Sequence, residues 1–158
     1  MSLETVRAFF ADNAPDIQVI ESPLSSATVA LAAEAYGVAP ERIAKTLSLR
    51  IGKRVVLIVA AGMARMDNKK VKALLGGKPK MLGVDEVAEI TGHEVGGVCP
   101  FGLKTPLPIY CDVSLQAFDV VVPAAGSIHS AVRIAPRRMA ELVGAEWVDV
   151  CGNREEQP

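Results

Sequence analysis

Apolar positions in the first part of the chain recur with the spacing of short amphipathic helices. A first helix is predicted from Ser2, which can cap it, to the Asn13-Ala14-Pro15 cluster. A short apolar run at residues 17–20 predicts a strand. Residues 29–36 predict a second helix, because possible capping hydroxyls precede it and Gly37 follows it.

The middle of the chain changes to the alternation and apolar runs of strands. Residues 43–49 and 54–60 are rich in Ile, Leu and Val, and Gly52-Lys53 lies between them, which predicts a β-hairpin. Further elements are predicted after the hairpin: helices over residues 68–75, 85–91 and 136–143, and strands over residues 80–82, 107–111, 120–122, 131–134 and 146–150.

Strands follow one another too closely in the C-terminal half for repeated βαβ units. The pattern therefore predicts a mixed α/β fold of the α+β type. We expect a curled, partly antiparallel, barrel-like sheet surrounded by helices. A single domain is predicted over residues 1–151, and residues 152–158 are predicted to be a flexible polar tail.

Composition and charge narrow the class of protein. Half of the residues are hydrophobic and 4% are aromatic, which predicts a core of small and branched side chains. The net charge is −1, from 17 basic and 18 acidic residues, so no global field attracts nucleic acid or membrane. Three widely spaced cysteines and an N-terminus without a signal peptide predict a soluble, cytoplasmic protein without a disulfide framework. Neither a metal nor a cofactor is expected.

Lys45 lies in the predicted strand over residues 43–49, on the same face as Ile43 and Leu47. That face is normally the buried one, so the ammonium group must find a partner, reach solvent or have a lowered pKa. An edge-strand lysine and a functional lysine facing a cleft are both compatible with this pattern. Lys69, Lys70 and Lys72 belong to a run of lysines that is either a solvated helix face or a weak contact surface for a polyanion.

The glycine loop, residues 96–102, reads Gly-Gly-Val-Cys-Pro-Phe-Gly. Because the loop has few side chains and a rigid proline, its backbone amides can point towards a ligand. Such amides can hold an anion or a developing oxyanion. A tight turn between two strands is the alternative. Cys99 within the loop could be a nucleophile with His93 or His129 as base, although a buried packing role is more common for such a cysteine.

The order of four segments resembles the YbaK family of aminoacyl-tRNA deacylases, which is related to the editing domain of bacterial prolyl-tRNA synthetases. The resemblance extends from about residue 5 to residue 150, and the segments that carry it are residues 26–38, 43–47, 96–102 and 125–127. It implies a compact α/β fold that hydrolyses misacylated tRNA in trans, with Cys-tRNA(Pro) or Ala-tRNA(Pro) as the expected substrate. It also implies prolyl-tRNA synthetase as a possible partner, and it leaves the oligomeric state open.

The resemblance also assigns roles to residues. The family's essential lysine corresponds to Lys45, its glycine–proline loop to residues 96–102, and a further pocket wall to Gly126-Ser127. The expected catalytic residues are Lys45, Gly97, Val98, Cys99 and Gly102. The expected substrate-binding residues are Thr46, Gly96, Pro100, Phe101, Gly126, Ser127 and His129. Many relatives have serine at the position of Cys99, which argues against a nucleophilic thiol.

Two further functions stay open from the sequence. The chain could be a non-catalytic module that binds an aminoacyl-tRNA end or an amino-acid-like ligand, or it could be a cysteine-dependent hydrolase.

Overall fold

The computed structural model describes residues 2–152, with five α-helices and ten short strands. The helices are α1 (Ser2–Asn13), α2 (Val29–Tyr36), α3 (Asn68–Leu75), α4 (Val84–Thr91) and α5 (Pro136–Val143). The strands are β1 (Ile20–Glu21), β2 (Ile43–Ile51), β3 (Arg54–Ala61), β4 (Arg65–Met66), β5 (Pro79–Met81), β6 (Ile109–Asp112), β7 (Val122–Pro123), β8 (Ser130–Ala131), β9 (Glu146–Val148) and β10 (Cys151–Gly152).

The mixed α/β fold is confirmed, and its main sheet has the strand order β5-β2-β3-β6-β9. The β2–β3 pair is the predicted antiparallel hairpin, whose turn places Gly52 at a φ of 62°. On the other side of β3 the pairing is parallel, first to β6 and then to β9. Because parallel neighbours need long crossover connections, these strands could not be paired from local sequence.

The prediction of a curled, barrel-like sheet is wrong. The outer strands of the main sheet, β5 and β9, contain three residues each, and among the described residues they do not pair with one another. Closing a barrel requires the two edge strands of a sheet to pair with each other in a matching stagger. Here β5 and β9 lie at opposite edges of an open sheet.

The outer edge of β2 is shared between two short strands. β7 pairs in parallel with Ile43 and Ala44, and β5 pairs antiparallel with Leu49 to Ile51. Residues 45–48 between them have no strand partner on this edge in the described part of the chain, although the Ser48 carbonyl oxygen accepts a hydrogen bond from the Leu82 amide (3.1 Å). The gap leaves β2 open to a cavity.

Strand β3 lies at the centre of the core and is buried on both faces. Leu57 and Val59 pack in the larger cluster with α1 and α5 residues, whereas Val56 and Ile58 pack against Val71 of α3. This explains why its sequence is a continuous apolar run instead of an alternating one.

Helix α2 has the predicted limits because both of its ends are capped locally. The Thr28 hydroxyl accepts a hydrogen bond from the Leu31 amide at the N-terminus, and Gly37 ends the helix at a φ of 66°. The last helical residue is Tyr36, which packs with Ile43 and Val122 in a small apolar cluster. Helix α2 thereby covers the β7 end of the gap in β2.

The C-terminal end of the described chain is a strand: Cys151 pairs with Met66, and Gly152, the first residue of the predicted tail, pairs with Arg65. The rest of that predicted tail, residues 153–158, lies outside the described residues. None of the helices within residues 2–152 has the length and apolar character needed to cross a membrane.

Candidate active site

A cavity of about 360 Å³ opens at the gap in β2. Its walls come from α2 and the turn before it, the middle of β2, the β5–α4 connection, the glycine loop and the segment from β7 to β8. Lys45 is the single charged residue among the described side chains that line it, and hydroxyl groups supply the other polar side chains. The residues of this polar set are Ser26, Thr28, Tyr36, Thr46, Ser48 and Ser130.

Lys45 is half-buried and is held by two backbone carbonyl groups. Its Nζ donates to the carbonyl oxygens of Gly62 (3.3 Å) and Ala64 (2.5 Å). Burial lowers the pKa of Lys45, and the nearby Arg65 lowers it further, whereas Cys151 opposes the shift. Because an ammonium group has three N–H donors and no carboxylate is paired with this one in the described structure, its charge remains available to an anionic ligand.

Gly62 explains how the carbonyl groups come so close to Lys45. A Cβ atom at this position would lie 2.1 Å from the Pro40 carbonyl oxygen and 2.8 Å from Val29. Only a glycine lets the turn after β3 approach the segment before β2 this closely. Gly62 and Ala64 were not among the predicted site residues, since nothing in local sequence shows that their carbonyl oxygens meet a lysine in the neighbouring strand.

The glycine loop contributes Gly96 and Val98 to the cavity lining. Neither backbone amide donates a hydrogen bond to any acceptor within residues 2–152, so both donors are free. The Gly97 amide, by contrast, donates to the Glu94 carbonyl oxygen (2.9 Å) and is therefore occupied. Gly96 and Val98 are therefore the loop residues that both line the cavity and have amides free to stabilise an anion.

Gly97 fixes the loop against the second predicted wall, Gly126-Ser127. A Cβ atom at Gly97 would lie 2.7 Å from the Ser127 backbone, and the Gly97 carbonyl oxygen accepts from the Gly126 amide (3.1 Å). The structure thus brings the two predicted loops into direct backbone contact. Gly126 and Ser127 do not line the cavity themselves; the neighbouring Ala124 and Ser130 do.

Cys99 lies on the rear side of the loop, outside the cavity lining, and is fully buried. Burial raises the pKa of its thiol to about 12, so the reactive thiolate is not formed at neutral pH. Its Sγ lies 3.5 Å from His93 Nε2, but that nitrogen is 2.8 Å from the Phe101 carbonyl oxygen. Since a carbonyl oxygen only accepts, Nε2 carries the proton and cannot be the base for Cys99.

His93 completes this rear side, where it is fully buried. Its Nδ1 accepts a hydrogen bond from the hydroxyl of Ser2, which is the first residue of α1. Burial lowers the pKa of His93, with the Phe101 carbonyl group opposing the shift. His93 holds the loop in place from behind and has no contact with the cavity.

The other predicted loop residues also lie behind the cavity lining. Pro100 and Phe101 are buried, and the Phe101 ring packs against Phe10 with centroids 4.6 Å apart. Gly102 turns with a φ of 59° where a Cβ atom would lie 2.9 Å from the Thr5 carbonyl oxygen. Phe101 and Gly102 anchor the loop to α1, and none of the three residues lines the cavity.

His129 is exposed and lies outside the cavity lining. Its Nδ1 is 3.2 Å from the carbonyl oxygens of both Ser22 and Leu24, so its ring ties the segment before α2 to this loop. The Ser127 hydroxyl is hydrogen-bonded to the Ser130 hydroxyl (2.7 Å), which does line the cavity. Both predicted residues therefore support the wall from outside.

Helix α3 carries the three predicted tRNA-contact lysines away from the cavity lining. Lys70 forms an ion pair with Asp149 (3.2 Å) and donates to the Cys151 carbonyl oxygen (3.0 Å). Lys69 and Lys72 are exposed. Contact of these lysines with tRNA stays a prediction.

Tyr36 is a lining residue that was not predicted from the sequence. Burial raises the pKa of its hydroxyl, with the Ser26 hydroxyl opposing and Glu21 adding to the shift. Because Tyr36 is the last residue of an apolar helix, its sequence context predicts a core residue, and no local signal shows that it also lines a cavity.

Among residues 2–152, no three His, Cys, Asp or Glu side chains are grouped so as to hold a metal ion.

Comparison with known proteins places this chain in a family. Residues 25–142 match the family described as "Aminoacyl-tRNA editing domain". The chain is 49% identical to the uncharacterized protein YwhH of Bacillus subtilis, over 98% of this chain and all of that protein. It is 29% identical to EbsC of Enterococcus faecalis, named as a candidate Cys-tRNA(Pro)/Cys-tRNA(Cys) deacylase, over 82% of this chain and 79% of that protein.

A solved structure gives the same result in three dimensions. A crystal structure described as a candidate trans-editing enzyme for prolyl-tRNA synthetase superposes with a TM-score of 0.89 and 32% identity, covering 96% of this chain and 98% of that one. The matched segment, residues 25–142, contains all the residues that line the cavity. The chain belongs to the aminoacyl-tRNA editing domain family.

Proposed function

We propose that this chain is a deacylase that acts in trans on misacylated tRNA, with Cys-tRNA(Pro) or Ala-tRNA(Pro) as substrate. One observation carries the proposal: Lys45, without a carboxylate partner, and the free amides of Gly96 and Val98 line the same cavity. A cation and two amide donors suit the terminal phosphate and the ester carbonyl group of an aminoacyl end. Family membership supports tRNA as the substrate.

The reaction needs few groups from the protein, because an aminoacyl ester is already activated. A water oxygen forms a bond to the carbonyl carbon, and negative charge develops on the carbonyl oxygen, where the Gly96 and Val98 amides can stabilise it. The bond from carbon to the ribose oxygen then breaks, and that oxygen takes up the proton that the attacking water gives up. Free amino acid and tRNA are the products. Lys45 holds the phosphate and does not act as the base.

A non-catalytic binding module is the second candidate function. The observation that favours it is the composition of the lining, which within the described residues contains no His, Asp or Glu that could activate a water. The two functions predict different outcomes with the same substrates. A deacylase releases the amino acid, whereas a binding module retains the intact aminoacyl-tRNA.

The test is deacylation of tRNA(Pro) charged with Cys, Ala, Ser, Thr or Pro, by the wild type and Lys45→Met. The substitution keeps an apolar stem of similar length and removes the ammonium group, so kcat/KM should fall about 100-fold for loss of a charge-assisted phosphate contact. Lys53→Met, at the exposed hairpin turn, is the matched control and should match the wild type.

Three results would count against the deacylase. Wild-type activity retained by Lys45→Met would reject the role given to Lys45. Binding of a charged tRNA without release of its amino acid would favour the binding module. Neither binding nor release with any member of the panel would reject both functions.

A further inference from the structure

Two buried hydroxyl groups, both on residues that line the cavity, have no hydrogen-bond partner within the described residues. They are the Tyr36 phenol, at the end of α2, and Thr46 Oγ1, in the unpaired part of β2. The Tyr36 side chain lies in an apolar cluster that includes Ala32 and Ala131, and the residue is 7% exposed. Buried polar groups in folded proteins are almost always hydrogen-bonded, so two exceptions in one cavity require an explanation.

The protein side chains nearby do not supply the missing partners. The Ser26 hydroxyl lies close enough to Tyr36 to lower its pKa, but it is outside hydrogen-bonding geometry with the phenol and donates to the Ile128 carbonyl oxygen (2.8 Å). The Ser130 hydroxyl is bonded to Ser127 and to the Ala125 carbonyl oxygen. These neighbouring hydroxyls already have their partners within the protein, and neither one pairs with Tyr36 or Thr46.

We propose that Tyr36 and Thr46 form a subsite that binds a neutral hydroxyl group of the substrate. A hydroxyl group is the fitting ligand because a phenol and a threonine hydroxyl each donate and accept, as does their partner. A charged ligand group fits less well. Lys45 repels a cation, and the apolar side chains packed around Tyr36 disfavour a charge of either sign. The inference rests on the proposed function, because it assumes an aminoacylated ribose in the cavity.

Such a hydroxyl group has two possible sources in an aminoacylated adenosine. One is the side chain of the amino acid, as in serine or threonine, and the other is the free hydroxyl group of the ribose. The difference affects substrate choice. If the amino acid supplies the hydroxyl, an alanyl ester leaves Tyr36 and Thr46 unpaired and is disfavoured; if the ribose supplies it, all aminoacyl esters benefit equally.

The experiment measures binding of stable analogues, so that its result does not depend on catalysis. Serine and alanine are each attached through an amide to 3′-amino-3′-deoxyadenosine, and a 2′-deoxy version of each is prepared. Dissociation constants are measured by calorimetry for the wild type, Tyr36→Phe and Thr46→Val. Tyr110→Phe is the matched control, because Tyr110 lies in β6 outside the cavity lining.

Two patterns would support the subsite and identify the source. If the amino acid supplies the hydroxyl group, the wild type binds the seryl analogue about tenfold more tightly than the alanyl one, and Tyr36→Phe removes the difference. If the ribose supplies it, both analogues bind the wild type equally, Tyr36→Phe weakens both about tenfold, and the 2′-deoxy analogues bind equally weakly to both proteins. Tyr110→Phe should match the wild type throughout.

Folding is checked in the same samples. Because the Tyr36 hydroxyl has no partner in the ligand-free protein, Tyr36→Phe should melt at the same temperature as the wild type or higher. A clearly lower melting temperature would show that the phenol is bonded within the protein and would overturn the proposal.

Failure of the subsite and failure of the proposed function give different results. If the wild type deacylates the tRNA panel and both variants bind every analogue as tightly as the wild type, the subsite is wrong and the proposed function stands. If the wild type binds no analogue and deacylates no tRNA, both are wrong.

Discussion

The cavity side and the rear side of the glycine loop differ in which polar groups they present: hydrogen-bonded side chains at the rear, and free backbone amides at the cavity. At the rear, His93 is hydrogen-bonded at both ring nitrogens, and the Cys99 thiol lies 3.6 Å from the same Phe101 carbonyl oxygen that His93 uses. On the cavity side, the amides of Gly96 and Val98 have no partner in the described structure. The rear side therefore stabilises the loop, and the front leaves donors free for a ligand.

The difference between the two sides also reverses the roles that the residue types suggest from the sequence. Cys99 and His93 suggest a catalytic pair, yet their burial and protonation make them part of the core. Val98 suggests packing, yet its amide is one of the free donors. The side of the loop on which a residue lies decides whether it packs in the core or lines the cavity, whatever its residue type suggests.

The largest expected effect comes from moving the loop itself. In Gly97→Ala the new Cβ would lie 2.7 Å from backbone atoms of Ser127, which cannot rotate away. We expect a loss of about 1–3 kcal/mol in the free energy of unfolding. Because both free amides would shift, kcat/KM for deacylation should also fall about 100-fold. Chemical denaturation and the deacylation assay measure the two effects.

Gly52→Ala is the control for Gly97→Ala, since it meets no atom within 4 Å and only strains a turn far from the cavity. It should cost about 1–2 kcal/mol of stability and leave activity unchanged. Equal activity in Gly97→Ala and the wild type would contradict the view that this contact positions the loop.

Protonation of His93, on the rear side of the loop, should make the free energy of unfolding depend on pH. The pKa of His93 is lower in the folded state than in the unfolded chain, so below about pH 6.5 the unfolded state binds more protons. Stability is therefore lost as the pH falls, by up to about 1.4 kcal/mol per pH unit. Urea unfolding of the wild type at pH 7.5 and pH 5.5 should reveal this slope.

His93→Gln should be less stable at pH 7.5 but flatter between the two pH values, because it has no group that protonates there. The exposed His129→Gln serves as the control and should keep the wild-type slope. Parallel slopes in His93→Gln and the wild type would mean that another group causes the acid sensitivity.

The smallest effect is expected at Cys99. Cys99→Ser places a hydroxyl group near the same Phe101 carbonyl oxygen that the thiol faces (3.6 Å). If the thiol only packs, kcat/KM should stay within about threefold of the wild type. A loss of activity beyond about 100-fold, with an unchanged melting temperature, would restore the cysteine-dependent hydrolase.

Elements with local determinants could be predicted from the sequence. Helix α2 has the limits that Gly37 and the hydroxyls before Val29 indicate, and the β2–β3 hairpin follows from Gly52-Lys53 between two apolar runs. A mixed, partly antiparallel sheet could be predicted, but its strand order could not, because β2 shares one edge between β5 and β7, which are distant in the chain. The gap that results is the feature that creates the cavity.

The site follows the same division. Lys45 could be singled out as a candidate because a lysine on an apolar strand face is unusual, and the structure places it in the cavity lining; its role stays a prediction. Its two carbonyl partners belong to a different turn, and their approach depends on one atom-scale contact at Gly62. Tyr36 could not be identified, since the absence of a partner for its hydroxyl is a property of the folded surroundings.

The cavity also has a consequence for how the protein is made. Its lining begins at Ser26 and ends at Ala131, so no short piece of the chain contains it. The cavity is complete only when all of these distant segments have been made and brought together, at the entropic cost of closing long loops. A nascent chain still on the ribosome therefore has no binding site until Ala131 has emerged, and truncation before β8 should leave a product that cannot bind.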